Sequence, residues 1–274
     1  RSFHVTGVQT CALPILPTNF CVYNSVMHAS LLLADPSGIL ILVGLTTFVA
    51  GLMRGFAGFG SVMLMAPIFA ILLGPVHMVP LITIIETPVG IMLFLNARHD
   101  VEWKFIGPVA LVATAAMPFG MWLLVSLDTD LITRVVSLIV LLFVAVLAMG
   151  WNYRGPRPLP LTLGIGGFSG AMMATTSIGG PPLIVYMLAA ATPAVTIRAN
   201  LIAYFLLVSL ILVGMFTITS SIGVAILTDA IILAPILLLG GWLGSRLAGK
   251  AAEKTYRWIA FAFLTFAGLI GLFG

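Results

Sequence analysis

Ten apolar runs of 12 to 24 residues, most of them near the length of about 20 that crosses a bilayer as a helix, fill the chain from Gly38 to Phe273. Short connections between them hold most of the charge. Only 7% of residues are charged and 61% are hydrophobic, against roughly a quarter charged in soluble domains, so a water-soluble fold is excluded. A membrane β-barrel is excluded as well, because its strands read as short alternating segments and these runs are continuous. The fold class is an all-α polytopic membrane protein.

The runs span about Gly38–Met53, Ser61–Leu73, His77–Asn96, Phe105–Ser126 and Leu131–Gly150, then Leu161–Ser177, Pro181–Thr192, Ile197–Thr217, Ile222–Ser245 and Tyr256–Phe273. Between the two sets of five, Arg154, Pro156, Arg157, Pro158 and Pro160 make a connection that cannot continue a helix. Residues 37–150 are therefore expected as a first repeat, 151–160 as a Pro/Arg-rich cytoplasmic linker and 161–274 as a second repeat. A shift of 119 residues places Gly51 on Gly170, Gly60 on Gly179 and Ser61 on Gly180. With one inserted residue, Gly120 and Trp122 fall on Gly240 and Trp242. Internal duplication is the expectation.

Residues 1–26 are expected to be a non-native, adapter-derived or disordered segment. Val5 to Ile15, VTGVQTCALPI, resembles one reading frame of a common sequencing adapter, and Met27 is the expected native start. Cys11 and Cys21, both in that segment, imply neither a disulfide framework nor a metal cluster.

Charge orients the runs. Arg54, then Arg98 and Lys104, then Arg154 and Arg157, then Arg198, then Arg246, Lys250, Lys254 and Arg257 occupy alternate connections. The connections between hold Asp128 and Asp130, or no charge. The positive-inside rule makes the basic set cytoplasmic. Ten full crossings satisfy every connection and place both termini outside. Five crossings per repeat is odd, so the repeats insert with opposite orientation. The expected architecture is two inverted five-helix repeats with broken helices at the centre, a plan on which carriers hold substrate near the bilayer midplane.

Two Gly-rich breaks, Gly51 to Pro67 and Gly166 to Pro182, interrupt apolar runs where an uninterrupted helix would serve to cross lipid. Backbone broken at membrane depth persists only where protein or a watery cavity receives it. A helix that starts at Ser61 or Pro181 presents unpaired N–H groups and partial positive charge. Glycine lets an anion come close, and Thr175, Thr176 and Ser177 add hydroxyl donors, so the pattern suits an oxyanion. The alternative role for such glycines is close helix packing. Glu86 and Asp229 lie inside apolar runs, where a charge is costly and marks function. Glu86 is a candidate proton carrier or cation ligand, with Asp229 a second coupling candidate. Arg54 and Arg198 flank the breaks as candidate anion guides or gates. His77 and His99 read as connection residues. No metal-ligand spacing, nucleotide-binding loop or nucleophile elbow is present, so no metal, cofactor or enzymatic role is expected.

GLMRGFAGFGSVMLMAP at 51–67 and SGAMMATTSIGGPPLIVYML at 169–188, followed by Arg198, carry a further signal. The chain from about Pro36 onward resembles the TauE/SafE sulfite-exporter family of membrane permeases. By position, the family's motif residues fall on Gly58, Gly60 and Ser61, then on Ser177, Gly179, Gly180, Pro181 and Pro182. Ser61 and Val62 stand where further glycines are often found in that family. The resemblance implies a secondary carrier of small sulfur-containing anions, such as sulfite or organosulfonates, in the bacterial inner membrane. The expected partners are a small anion, a coupling proton or sodium ion and the lipid bilayer, with no nucleic acid; a homo-oligomer stays open. The competing readings are a cation or proton-coupled carrier using Glu86 and Asp229, and a membrane assembly factor without transport.

Overall fold

The computed structural model describes residues 38–57, 60–149, 158–188, 193–219, 221–247 and 265. Among them the chain forms nine α-helices and one 3-10 turn, with no strand. These are α1 (Ile39–Ala57), α2 (Ser61–Leu73), α3 (Pro75–Ala97), a 3-10 turn (Arg98–Asp100), α4 (Trp103–Ser126) and α5 (Thr129–Ala148). After the connection come α6 (Leu159–Thr176), α7 (Gly180–Leu188), α8 (Ala194–Ile218) and α9 (Val224–Leu247). The tenth run, about Tyr256 to Phe273, lies outside the described residues apart from residue 265.

Four helical stretches, Pro75–Asp100, Trp103–Ser126, Val195–Ile218 and Val224–Arg246, are long and apolar enough to cross a membrane. At 1.5 Å per residue, 24 residues reach about 36 Å, more than the roughly 30 Å of hydrocarbon. In α4 the exposed Trp103 and Trp122 sit about 28 Å apart along the axis, the spacing of aromatic residues at two membrane surfaces. Ile41, Leu45, Leu111, Leu142, Ile231 and Leu239 point outward, each close to half exposed or more. An apolar exterior of this extent is stable against lipid and not against water.

Most helix boundaries follow local chemistry. Gly74, at φ 76°, separates α2 from α3, and Pro75 opens α3 at a position where its missing N–H costs no helical bond. α6 starts at Leu159, two residues before the expected point, because Pro160 is likewise accepted in a first turn. His77 is a correction: it is the third residue of α3 and is buried, not a connection residue. Proline after Gly74 starts the helix early enough to take it in.

Packing is organised by two close helix pairs, α1 along α9 and α4 along α6, the most extensive contacts among the described elements. Small residues let the backbones touch. A Cβ on Gly55 would lie 2.0 Å from the Gly241 carbonyl oxygen, and one on Gly170 would lie 2.2 Å from that of Ala113. α3 and α8 run through the middle, packed on each other and, respectively, on α9 and α4.

Gly170→Val should therefore push α6 off α4 and lower stability by about 1–3 kcal/mol or more. Gly164→Ala in the same helix, where a Cβ meets nothing within 4 Å, should stay within about 0.5 kcal/mol of wild type. Thermal unfolding of the detergent-purified protein separates the two outcomes; equal midpoints would remove close packing as the role of Gly170.

Candidate functional site

The first break lies between α1 and α2. Gly60 takes φ 100°, a left-handed conformation available to glycine, and caps α2 without a side-chain hydrogen bond. Ser61, the first residue of α2, is fully buried, and its hydroxyl has no partner among the described residues. Gly58 lies outside the described residues.

One turn before the end of α1, Arg54 is buried at 4% exposure, and its Nη1 stands 2.7 Å from Oε2 of Glu86, itself 3% exposed. Glu86 is the twelfth residue of α3, so the pair ties α1 to the middle of a membrane-crossing helix. The contact is an ion pair off the hydrogen-bond axis. Neither Glu86 oxygen nor Arg54 Nε has a hydrogen-bond partner among the described residues. Two opposite charges are thus held together while much of their hydrogen-bonding capacity stays unused.

The second break lies between α6 and α7. Ser177 closes α6 at φ 60°, the single non-glycine residue with positive φ among the described ones, and its N–H donates to the Met173 carbonyl at 2.9 Å. Such a conformation costs of order 1 kcal/mol and clusters at functional sites. Thr175 and Thr176 do not offer free donors. Thr175 donates to the Ala171 and Gly120 carbonyls, and Thr176 donates to that of Met172 while accepting from Ile178 N–H. Gly180, Pro181 and Pro182 form the first turn of α7. Gly179 precedes them, and its carbonyl accepts from Ser169 Oγ.

Ser169 in turn accepts from the Tyr204 hydroxyl at 2.8 Å. This buried chain of Tyr204, Ser169 and Gly179 fixes the break, and the residue types alone did not announce it. The available signal was a lone tyrosine in the apolar run of α8 and a lone serine among the glycines of α6.

One cavity joins both breaks. About 450 Å³ of empty space, its mouth included, is bordered by Arg54, Glu86 and Thr83, by Gly60 of the first break and by Ser177 and Gly180 of the second. Met63, Met173, Ile184 and Phe205 contribute apolar surface, and Ser209 adds a hydroxyl. Arg198 is not there: it is exposed, with Nη2 3.4 Å from the Gly55 carbonyl at the C-terminal end of α1, the helix terminus where a cation is favoured. Asp229 is elsewhere too. It is fully buried on α9, with Oδ2 2.9 Å from His77 Nε2. No group of three or more potential metal ligands exists among the described residues.

An all-helical exterior for lipid, with charge drawn inward to broken backbone, defines a multi-pass membrane protein with an interior polar site. The chain belongs to the sulfite exporter TauE/SafE family, whose model matches residues 43–270. That is a family of membrane transporters. No curated protein and no solved structure matches the chain significantly.

Removing one member of the central pair leaves a buried charge alone. Arg54→Gln or Glu86→Gln should each cost about 3–5 kcal/mol of stability, and the double substitution less than the two summed. A double-mutant cycle by denaturant or thermal unfolding checks this; strict additivity would show that the pair is not coupled. Ser169→Ala, which unpairs the Gly179 carbonyl, should cost about 1–3 kcal/mol in the same assay.

Proposed function

We propose that this protein is a secondary carrier for small, sulfur-containing anions such as sulfite or organosulfonates, working by alternating access in the bacterial inner membrane. The observation that carries the reading is the single cavity bordered by both helix breaks and by the Arg54–Glu86 pair. Arg54 is the one cation on that border among the described residues, and an anion entering the cavity meets it beside the backbone of Gly60 and Gly180. Ser61, whose buried hydroxyl has no partner among the described residues, supplies a further donor, and Ser177, whose Oγ donates to the Val79 carbonyl at a long 3.4 Å, supplies another. Gly179, Pro181 and Pro182 shape the backbone around them, and Thr175 and Thr176 hold the end of α6 in place.

Glu86 then has two roles in this reading. With no substrate it neutralises Arg54. When an anion takes the guanidinium, Glu86 is left as an unpaired carboxylate in a weakly polar interior, and a proton removes that cost. Anion and proton would load together, with no net change in the charge of the site.

Ten crossings in two inverted repeats remain our reading of the topology. Under the 119-residue shift, α1 corresponds to α6, and with the inserted residue α9 corresponds to α4. The two close pairs, α1 with α9 and α4 with α6, are then equivalents, which supports the duplication. The cation-carrier alternative needs Glu86 and Asp229 near one ion. Asp229 is bound to His77, nine residues and about 13 Å along α3 from Glu86, which favours the anion.

Flux of sulfite and organosulfonates into proteoliposomes tests the proposal. Saturable, pH-dependent uptake is expected, and Glu86→Gln should keep flux while flattening its pH dependence. Gly180→Val, whose side chain would push into Phe205, Ile184 and Met63, should lower flux by about tenfold or more, equivalent to about 1.4 kcal/mol. Wild-type flux in that variant would sink the site assignment, and absence of anion flux from the wild-type protein would sink the anion reading.

A further inference from the structure

The acidic and basic side chains buried among the described residues resolve into two pairs, and the cavity uses only one of them. The second is His77 on α3 with Asp229 on α9, at 2% and 0% side-chain exposure. His77 lies near one end of α3, at the third position, and Glu86 at its middle. Nine residues turn a helix by about two and a half turns, so the two side chains leave α3 on opposite faces. The dyad is a separate site.

We propose that His77 and Asp229 form a second proton-binding site whose loaded form holds α9 against α3. The chemistry is that of one proton between two bases. With the proton present, the dyad is neutral overall, as imidazolium with carboxylate or as imidazole with carboxylic acid. Without it, Nε2–H of a neutral imidazole still faces Oδ2, but the dyad carries one negative charge in the protein interior. No other charged group among the described residues pairs with it. The other oxygen of Asp229, Oδ1, is buried and has no hydrogen-bond partner among the described residues.

Neighbouring charges do not take over that role. On the elements packed against α3 and α9, Arg54 is occupied by Glu86. Arg98, His99, Asp100, Lys104, Asp130, Arg134, Arg198 and Arg246 are exposed, and α2 and α6 carry no acidic or basic side chain. A hard metal cation is a poor occupant, because it asks for about six oxygen ligands and the dyad offers one bare oxygen. A proton needs only that. Histidine is also the side chain whose charge changes near neutral pH. For plain adhesion between α3 and α9, an apolar pair of similar volume serves as well or better, so an ionisable pair at this depth is fitted to exchange a proton.

Because the proton-loaded dyad is the form that holds α9 against α3, stability should fall as rising pH empties it. The experiment is the thermal midpoint of the purified protein from about pH 5 to about pH 8, for wild type, His77→Gln, Asp229→Asn and each of these combined with Glu86→Gln. We expect the wild-type midpoint to fall by several degrees across the range. Glu86→Gln alone should retain that fall, and either dyad substitution should flatten it. If dyad variants keep the wild-type slope, the pair is a fixed clamp and the proposal is overturned. Should those variants not fold, the nitrogen-15 signals of the wild-type histidine rings decide: four histidines are present, and a buried ring whose signals do not shift across the range overturns the proposal equally. No substrate enters these measurements, so their outcome is independent of whether sulfite or a sulfonate is carried.

Discussion

Inside a bilayer no water is available to pair a broken backbone, and every interruption of a helix has to be serviced by the protein itself. That constraint accounts for the layout around the cavity. At the second break, Ser169 and Tyr204 are spent on one carbonyl, Gly179, and Thr175 and Thr176 on the carbonyls of α6 and α4. At the first, Arg198 reaches from α8 toward the Gly55 carbonyl. Once these groups are used in this way, the donors left over near the cavity among the described residues are few: the Arg54 guanidinium, the hydroxyls of Ser61, Ser177 and Ser209, and backbone at the starts of α2 and α7. At the second break the hydrogen bonds thus lie on α6 and its neighbours, while Gly60 of the first break and Gly180 of the second border the cavity.

The two halves service their breaks unequally. At the positions that the 119-residue shift equates, Arg54 and Glu86 correspond to Met173 and Phe205, and all four border the cavity. The proposed half-sites therefore divide the work. One supplies charge and the other supplies apolar surface and a strained serine. In the proposed site a substrate would meet charge from one side only, and the apolar wall would strengthen that single ion contact by lowering the local polarity. The proposed duplication is compatible with this asymmetry of side chains, because the glycines at the helix crossings set the packing and the residues beside them are free to differ.

The helical class, the approximate run boundaries and the two breaks were legible in the chain because each rests on local chemistry: apolar length, Gly-Pro punctuation and charge in connections. Glu86 stood out for the same reason, as a carboxyl in the middle of an apolar run. Its partner did not. Arg54 reads as an ordinary basic residue at a membrane boundary, and its burial depends on α1 and α3 meeting in space, 32 residues apart in sequence. His77 was assigned to a connection because Gly74 and Pro75 look like the end of an element, whereas proline there begins one. Thr175 and Thr176 looked like free donors, since a sequence does not reveal which hydroxyls fold back onto the carbonyl four residues earlier.

Both buried pairs are anchored on α3, and this shapes how the molecule can move. Arg54 fastens α3 to α1, Asp229 fastens it to α9, and α1 and α9 are themselves joined through contacts at Gly55 and Gly241. These three helices are closed on one another by two ionisable contacts and one steric contact. Only the ionisable ones respond to a ligand. In the proposed cycle an anion at Arg54 would loosen the α1–α3 ion pair and loss of a proton from the dyad would weaken the polar part of the α3–α9 contact, while the packing of these helices persists. Under the proposed alternating access, α3 would be the helix that moves relative to the α1–α9 pair, gated by the charge state of two sites about 13 Å apart along one helix.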